Sequence, residues 1–194
     1  MLGFLDDSPS KRVEAIEEIP VLGEIGSIGN LFMSETDIYI CCAIGSPESR
    51  KKIAEKIIQL RGNVKFPTLV HPTAVIADNV HIQEGCIIGA FSFISCNVKV
   101  GKFLLINYGS MIGHDCNLGD FSCVYAGSKL AGNVEVGEGV QIGIGANIIP
   151  NKSVGTGAII GAGSTVIDNI PSSCTAVGIP ARVIKMKEGK QGEE

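Results

Sequence analysis

A six-residue beat runs through the middle of this chain. Every sixth residue from Val70 to Val166 is Ile, Val or Leu, 17 positions in succession without an insertion. At 45% hydrophobic residues overall, chance would rarely sustain such a run. A hexapeptide period is the mark of a parallel β-helix. A second column lies three residues after the beat, where Gly, Asn or Asp stands at 13 of the 17 positions. These residue types enter the left-handed αL region at little cost. Each hexad therefore reads as a short strand and a corner, with the beat residue packed inward. The position two before the beat is often small, as at Ala74, Ser92, Ser110 and Ser128. Lys152 interrupts that column, and a bulge or an outward side chain is expected there. Three hexads close one triangular coil, so residues three hexads apart stack. A little over five coils, spaced about 4.8 Å apart, give a prism roughly 25 Å tall. The spacing does not set its hand.

The chain has 194 residues and a net charge of −4, which leaves no basic footprint for nucleic acid. No apolar run approaches the roughly 18 residues of a membrane span, and no segment reads as a signal peptide. Seven cysteines, an odd number without a C-x-x-C pair, read as reduced, buried thiols of a cytoplasmic protein. Cys86 and Cys116 share the small-corner column, where packing is the expected role.

Residues 1–66 follow other rules. Leu2–Asp7 reads as a strand, and the apolar run Ile38–Ile44 as a buried parallel strand. Ser46 caps a helix begun by Pro47 and continuing to about Arg61, with Ile53, Ile57, Ile58 and Leu60 as its apolar residues. Val64–Lys65 is a further short strand. Alternating strand and helix define a small α/β unit of Rossmann type over 1–66. Residues 67–194 form the β-helix domain, and the last half-dozen are expected to be disordered.

Three histidines are available: His71, His81 and His114. His114 stands two residues after a beat, where its side chain should leave the prism. An imidazole is the usual general base near neutral pH. Asp115 follows at the αL corner and could fix the tautomer of the ring. Gly132, three hexads on, sits one coil above and offers an open N–H to a substrate carbonyl. Taken alone, an outward histidine beside an aspartate is more often part of a solvated surface.

The stretch Asn107–Cys123, the segment Leu130–Val134 and the C-terminal Val177-Gly178-Ile179-Pro180-Ala181-Arg182 resemble the sugar O-acyltransferases related to sialic acid O-acetyltransferase. Among these the resemblance is greatest to the bacterial UDP-4-amino-sugar N-acetyltransferases. It implies a left-handed prism working as a homotrimer, with acetyl-CoA as co-substrate and no metal. By position, His114 matches the catalytic base, Asp115 the acid that supports it, and Gly132 the N–H that holds the acetyl carbonyl. Ile144 and Ala162 match main-chain contacts to acetyl-CoA in a cleft between two prisms. Cys123 stands where the family has a second, cofactor-contacting histidine. Asp6, Asp7 and Gly45 match contacts to the nucleotide-sugar. The family also begins with a strand and a Gly-rich turn, and this chain starts after them, so a truncated Rossmann-like domain is expected.

The resulting expectation is a cytoplasmic acetyltransferase that acts on the amine of a nucleotide-linked amino sugar. One alternative is an O-acetyltransferase acting on sialic acid or a polysaccharide precursor. A second is a non-enzymatic hexapeptide-repeat scaffold. A third is a metal enzyme of the γ-carbonic-anhydrase type, which would need three converging histidines. That is disfavoured, because His71 and His81 fall about two coils below His114.

Overall fold

The computed structural model describes residues 1–7, 15–31 and 37–186. The expectation of a disordered C-terminal tail falls outside them. The described residues form two compact units. One comprises 1–40 and 52–65, the other 41–51 and the residues from 66 onward.

The larger unit is the β-helix. From Leu69 onward, two-residue strands recur at the hexad spacing and pair in parallel with the strand three hexads away, as in Met111–Ile112 with Lys129–Leu130. They build three sheets, of six, five and six strands, and the last is extended to eight by Cys174–Val177 and, antiparallel to it, Arg182–Met186. From Ile88 to Val166 every beat residue is buried, and together these residues make one hydrophobic core. Burying each is worth about 1.5–3 kcal/mol. The first beat, Val70, is 44% exposed because no coil lies beneath it.

The column two before the beat is also buried, and its polar members are satisfied by one repeated bond. Ser110 Oγ donates to Tyr125 O, Ser128 Oγ to Gly143 O, and Cys116 Sγ to Ala131 O, each 15 residues on. A small residue with a short donor is therefore what this corner takes. At Lys152 the strand pairing continues without a shift, Glu135 opposite Ser153 and Val136 opposite Val154. The half-buried lysine is accommodated without a bulge.

The αL corners run unbroken from Asn79 to Gly163. They include Phe91, Phe103 and Phe121, which the residue-type rule omits, and exclude Asn169, which it counts. A left-handed phenylalanine is strained. Phe103 and Phe121 stack with ring centroids 5.1 Å apart, a packing gain that offsets the strain.

Segment 41–51 belongs to the prism, a departure from a domain border at 66. Arg50 is the reason. The residue is 2% exposed, and its guanidinium donates to Phe103 O at 2.8 Å, to Phe121 O at 2.6 Å and to Ser122 O, while also donating to Ile44 O and Gly45 O. A buried cation is tolerable only with its donors filled, and these carbonyls fill them.

The smaller unit carries β1 (Phe4–Leu5), β2 (Ala15–Ile16) and β3 (Ile19–Gly23) in a sheet ordered β1-β3-β2, with β1 parallel to β3 and β2 antiparallel to it. A short helix, α1 (Ile28–Leu31), follows. β4 (Ile38–Tyr39) pairs in parallel with β5 (Val64–Lys65). The strand expected over Ile38–Ile44 thus stops after two residues, and its remainder joins the prism. Helix α2 (Pro47–Leu60), whose first residues to Lys51 belong to the larger unit, begins as expected, with Ser49 N–H donating to Ser46 Oγ. Its buried stripe is Pro47, Arg50, Ala54 and Ile57, whereas Ile58 and Leu60 are exposed.

Candidate active site

In each hexad the peptide two places after the beat lies at the corner, off the strand ladder. His114, Gly132, Ile144 and Ala162 all occupy that position. The N–H groups of Gly132, Ile144 and Ala162 make no hydrogen bond among the described residues. Such unpaired N–H groups are general to this position, occurring also at Ala90, Cys96 and Ala126; of the three, Ile144 and Ala162 are exposed and Gly132 is buried.

His114 follows the strand Met111–Ile112, and its side chain is 54% exposed. Its Nδ1 lies 2.7 Å from Oδ2 of Asp115. An ionised carboxylate only accepts, so Nδ1 carries the hydrogen and Nε2 is left as the basic lone pair. Asp115 adopts φ 58°, which turns its carboxylate back toward the preceding side chain. Hydrogen bonds from His114 and then from Asn97 hold its carboxyl below the usual carboxylate range.

Gly132 stacks directly above His114, and the N–H of Asn133 donates to His114 O at 2.9 Å. A Cβ built on Gly132 would collide with Nε2 and Cε1 of the imidazole. Only glycine leaves the ring in this position, since any side chain would push the imidazole aside, and the ring's basic edge lies against the coil that carries the Gly132 N–H.

Ile144 and Ala162 stack on each other at a different corner, with Gly163 N–H donating to Ile144 O at 2.8 Å. Ile144 follows a strand of the eight-stranded sheet and precedes one of the six-stranded sheet. His114 lies where the six-stranded sheet passes to the five-stranded one. The two groups thus flank opposite edges of one face of the prism.

Cys123 departs from the expectation of a cofactor contact. Its thiol is fully buried, donating to Gly45 O at 3.1 Å and accepting from Arg50 Nη2. Its neighbours in this column normally face outward, but segment 41–51 covers it, and no surface remains for a ligand. Burial pushes the Cys86 and Cys116 thiols up and Cys42 to about 11, which suppresses their thiolates.

Gly45 is exposed in the prism unit, where its carbonyl also accepts from Tyr125 Oη. It borders an apolar cavity lined by Cys42, Ile44, Ile87, Phe103 and Leu105, on another face from His114. In the smaller unit Asp6 and Asp7 follow β1. Asp7 accepts from Ile25 N–H at 2.6 Å and from Lys56 Nζ at 3.1 Å. His71 bonds Thr73 within its own turn, and His81 lies on the five-stranded sheet. Among the described residues no three His, Cys, Asp or Glu side chains are grouped as the ligands of a metal ion would be. Sequence reasoning missed Asn97 and Arg50. The three-hexad offset from Asp115 could have revealed Asn97, and the charge within the apolar stripe of α2 could have revealed Arg50.

Residues 1–57 match the family model described as the PglD N-terminal domain. A comparison with curated protein sequences found no match. Among solved structures, the chain is similar to a histidine-to-asparagine mutant of perosamine N-acetyltransferase from Caulobacter crescentus, in complex with CoA and GDP-perosamine. Identity is 30%, over 93% of this chain and 83% of that one, with a TM-score of 0.85. It is similar to WeeI from Acinetobacter baumannii AYE at 30% identity, over 94% and 85% of the two chains, TM-score 0.85. It is also similar to the acetyltransferase domain of PglB from Neisseria gonorrhoeae FA1090, in complex with acetyl coenzyme A. There identity is 29%, over 94% and 85%, with a TM-score of 0.84. The chain belongs to the bacterial sugar acetyltransferases of the hexapeptide-repeat family. It is an acetyltransferase.

Proposed function

We propose that this protein transfers the acetyl group of acetyl-CoA to the amine of a nucleotide-linked amino sugar by direct attack, with His114 as general base. The hydrogen bond from His114 Nδ1 to Asp115, which leaves Nε2 free against Gly132, is the observation that carries this reading. The amine nitrogen attacks the thioester carbonyl carbon and gives its proton to Nε2. Negative charge gathers on the carbonyl oxygen, which the Gly132 N–H stabilises. Collapse expels the CoA sulfur, which takes the proton from the imidazolium. The products are an amide and CoA, and no covalent enzyme intermediate forms.

Acetyl-CoA is the donor, as the CoA-bound and acetyl-CoA-bound relatives suggest. Ile144 and Ala162 N–H groups are its proposed main-chain contacts. Their corner and that of His114 are both convex and a face apart, so one prism cannot close a cleft with both. A second copy can bring its own corner alongside, and a homotrimer closes three such clefts. The first three coils of the six-stranded face suit that role, since their outward residues Val75, Phe93 and Met111 are apolar and exposed, ahead of Lys129, Asn147 and Thr165 on the same face. The five-stranded face presents His81, Lys99, Asn117, Glu135 and Ser153 instead. Asp6 and Asp7, and separately Gly45, are proposed acceptor contacts. GDP-perosamine, bound by a relative, is a suitable first acceptor.

The test is acetyl transfer from acetyl-CoA to a panel of nucleotide-linked 4-amino sugars, with wild type and His114→Ala. The expected product is an amide stable to mild hydroxylamine, formed by wild type alone. An ester product would assign the enzyme to hydroxyl acceptors. An active His114→Ala variant would remove histidine from the mechanism.

A further inference from the structure

Asp115 is held from two sides. Its Oδ2 faces His114 Nδ1 at 2.7 Å, and its Oδ1 accepts a hydrogen bond from Asn97 Nδ2 at 3.1 Å. Asn97 occupies the equivalent corner one coil lower, with the same φ of 58°. The three-hexad offset places the two side chains in one column, so the amide meets the carboxylate along the prism axis. Because an ionised carboxylate only accepts, the NH2 end of the amide must be the end that faces it.

A carboxylate's terminal torsion is broad, and one hydrogen bond leaves much of that freedom. A second bond, from a neighbour fixed in the backbone ladder, removes it. The corner itself does not need asparagine for this. Gly109, Gly127 and Gly145 serve the same αL position on another edge of the prism. Asn79, one coil further down, lies beneath Asn97 rather than beneath an acid.

We propose that Asn97 is a positioning residue, pinning the Asp115 carboxylate so that Oδ2 faces His114 and the ring keeps its hydrogen on Nδ1. The inference rests on the reading of His114 as the base, and it extends the chain of partners to three: Asn97, Asp115, His114. Outer partners of this kind fix tautomer and ring orientation where a histidine must present one defined nitrogen. The lowered carboxyl of Asp115 agrees with donors on both its oxygens.

Nitrogen-15 NMR of the imidazole rings tests this without any acceptor sugar. Three histidines give a simple spectrum, and His114→Ala identifies the signals of His114. At a pH where the ring is neutral, wild type should show mainly the Nδ1–H tautomer. Asn97→Gly keeps the αL corner and removes only the amide. It should shift the tautomer ratio by about threefold or more, the scale of one net hydrogen bond. Asn79→Gly should leave the ratio unchanged, and Asn97→Gly should add nothing in an Asp115→Gly background. A wild-type ratio in Asn97→Gly, with the bias lost in Asp115→Gly, overturns the role of Asn97 and leaves the dyad standing. A wild-type ratio in Asp115→Gly overturns the dyad, and the inference with it.

Discussion

In the proposed mechanism three residues carry the chemistry at the corner of His114, and each does so by a different physical means. His114 supplies a basic nitrogen, and its replacement by alanine should lower kcat by about 10²–10⁴-fold. Steady-state kinetics should show KM for acetyl-CoA little changed, since binding is assigned to the other corner. Gly132 supplies space. Its alanine variant would place a methyl group in the imidazole, so kcat/KM should fall by about 10²-fold or more while the thermal midpoint stays near wild type. A parallel loss of activity and of folded protein would assign Gly132 to the fold instead. Asp115 supplies a charge whose pH dependence has a defined sign. Its folded pKa lies below the ordinary value of about 3.9, so its stabilising contribution is complete above that pH and is lost as pH falls through the lower folded value. Thermal unfolding of wild type and Asp115→Asn should therefore differ at neutral pH and converge in acid.

At the scale of elements, the hexad and segment 41–51 have separate logics. The hexad is local: an inward aliphatic, a small donor and an αL residue recur, and each reads directly from its own position. Segment 41–51 is not local. Its apolar run looks like one strand, yet only Ile38 and Tyr39 pair, because Arg50 fastens the following residues to the carbonyls of Phe103 and Phe121, remote along the chain. Replacing Arg50 by methionine would leave those buried carbonyls unpaired. At about 1–3 kcal/mol for each unsatisfied group, and about 2–4 °C per kcal/mol for a chain of this size, calorimetry should register a fall of several degrees. An unchanged midpoint would mean that the segment packs without the clasp. The same covering explains why Cys123, legible only as a residue in an outward column, has no surface to offer a cofactor.

For the whole molecule, the proposed cleft asks for more than one copy. The donors at Ile144 and Ala162 and the proposed base at His114 lie at two corners of one prism face. Light scattering should give three times the 20.3 kDa of the chain. Met111→Asp, in the apolar part of the six-stranded face, should yield monomers that have lost transfer activity. Monomeric wild type with full activity would rule out a composite cleft.

The β-helix, its strand spacing, most of its corners and the juxtaposition of His114, Asp115 and Gly132 were legible in the sequence by itself. The physical reason is that a solenoid repeats one local environment, so an offset of three hexads is already a distance in space. Tertiary structure alone decided the rest. The left-handed conformation of Phe91, Phe103 and Phe121 follows from the corner that every coil must turn there, which residue type does not announce. The burial of Cys123 and the route of segment 41–51 depend on Arg50 and carbonyls remote in sequence. The three-hexad offset places Asn97 beneath Asp115, but that its NH2 group meets the carboxylate depends on side-chain rotamers, which no spacing specifies.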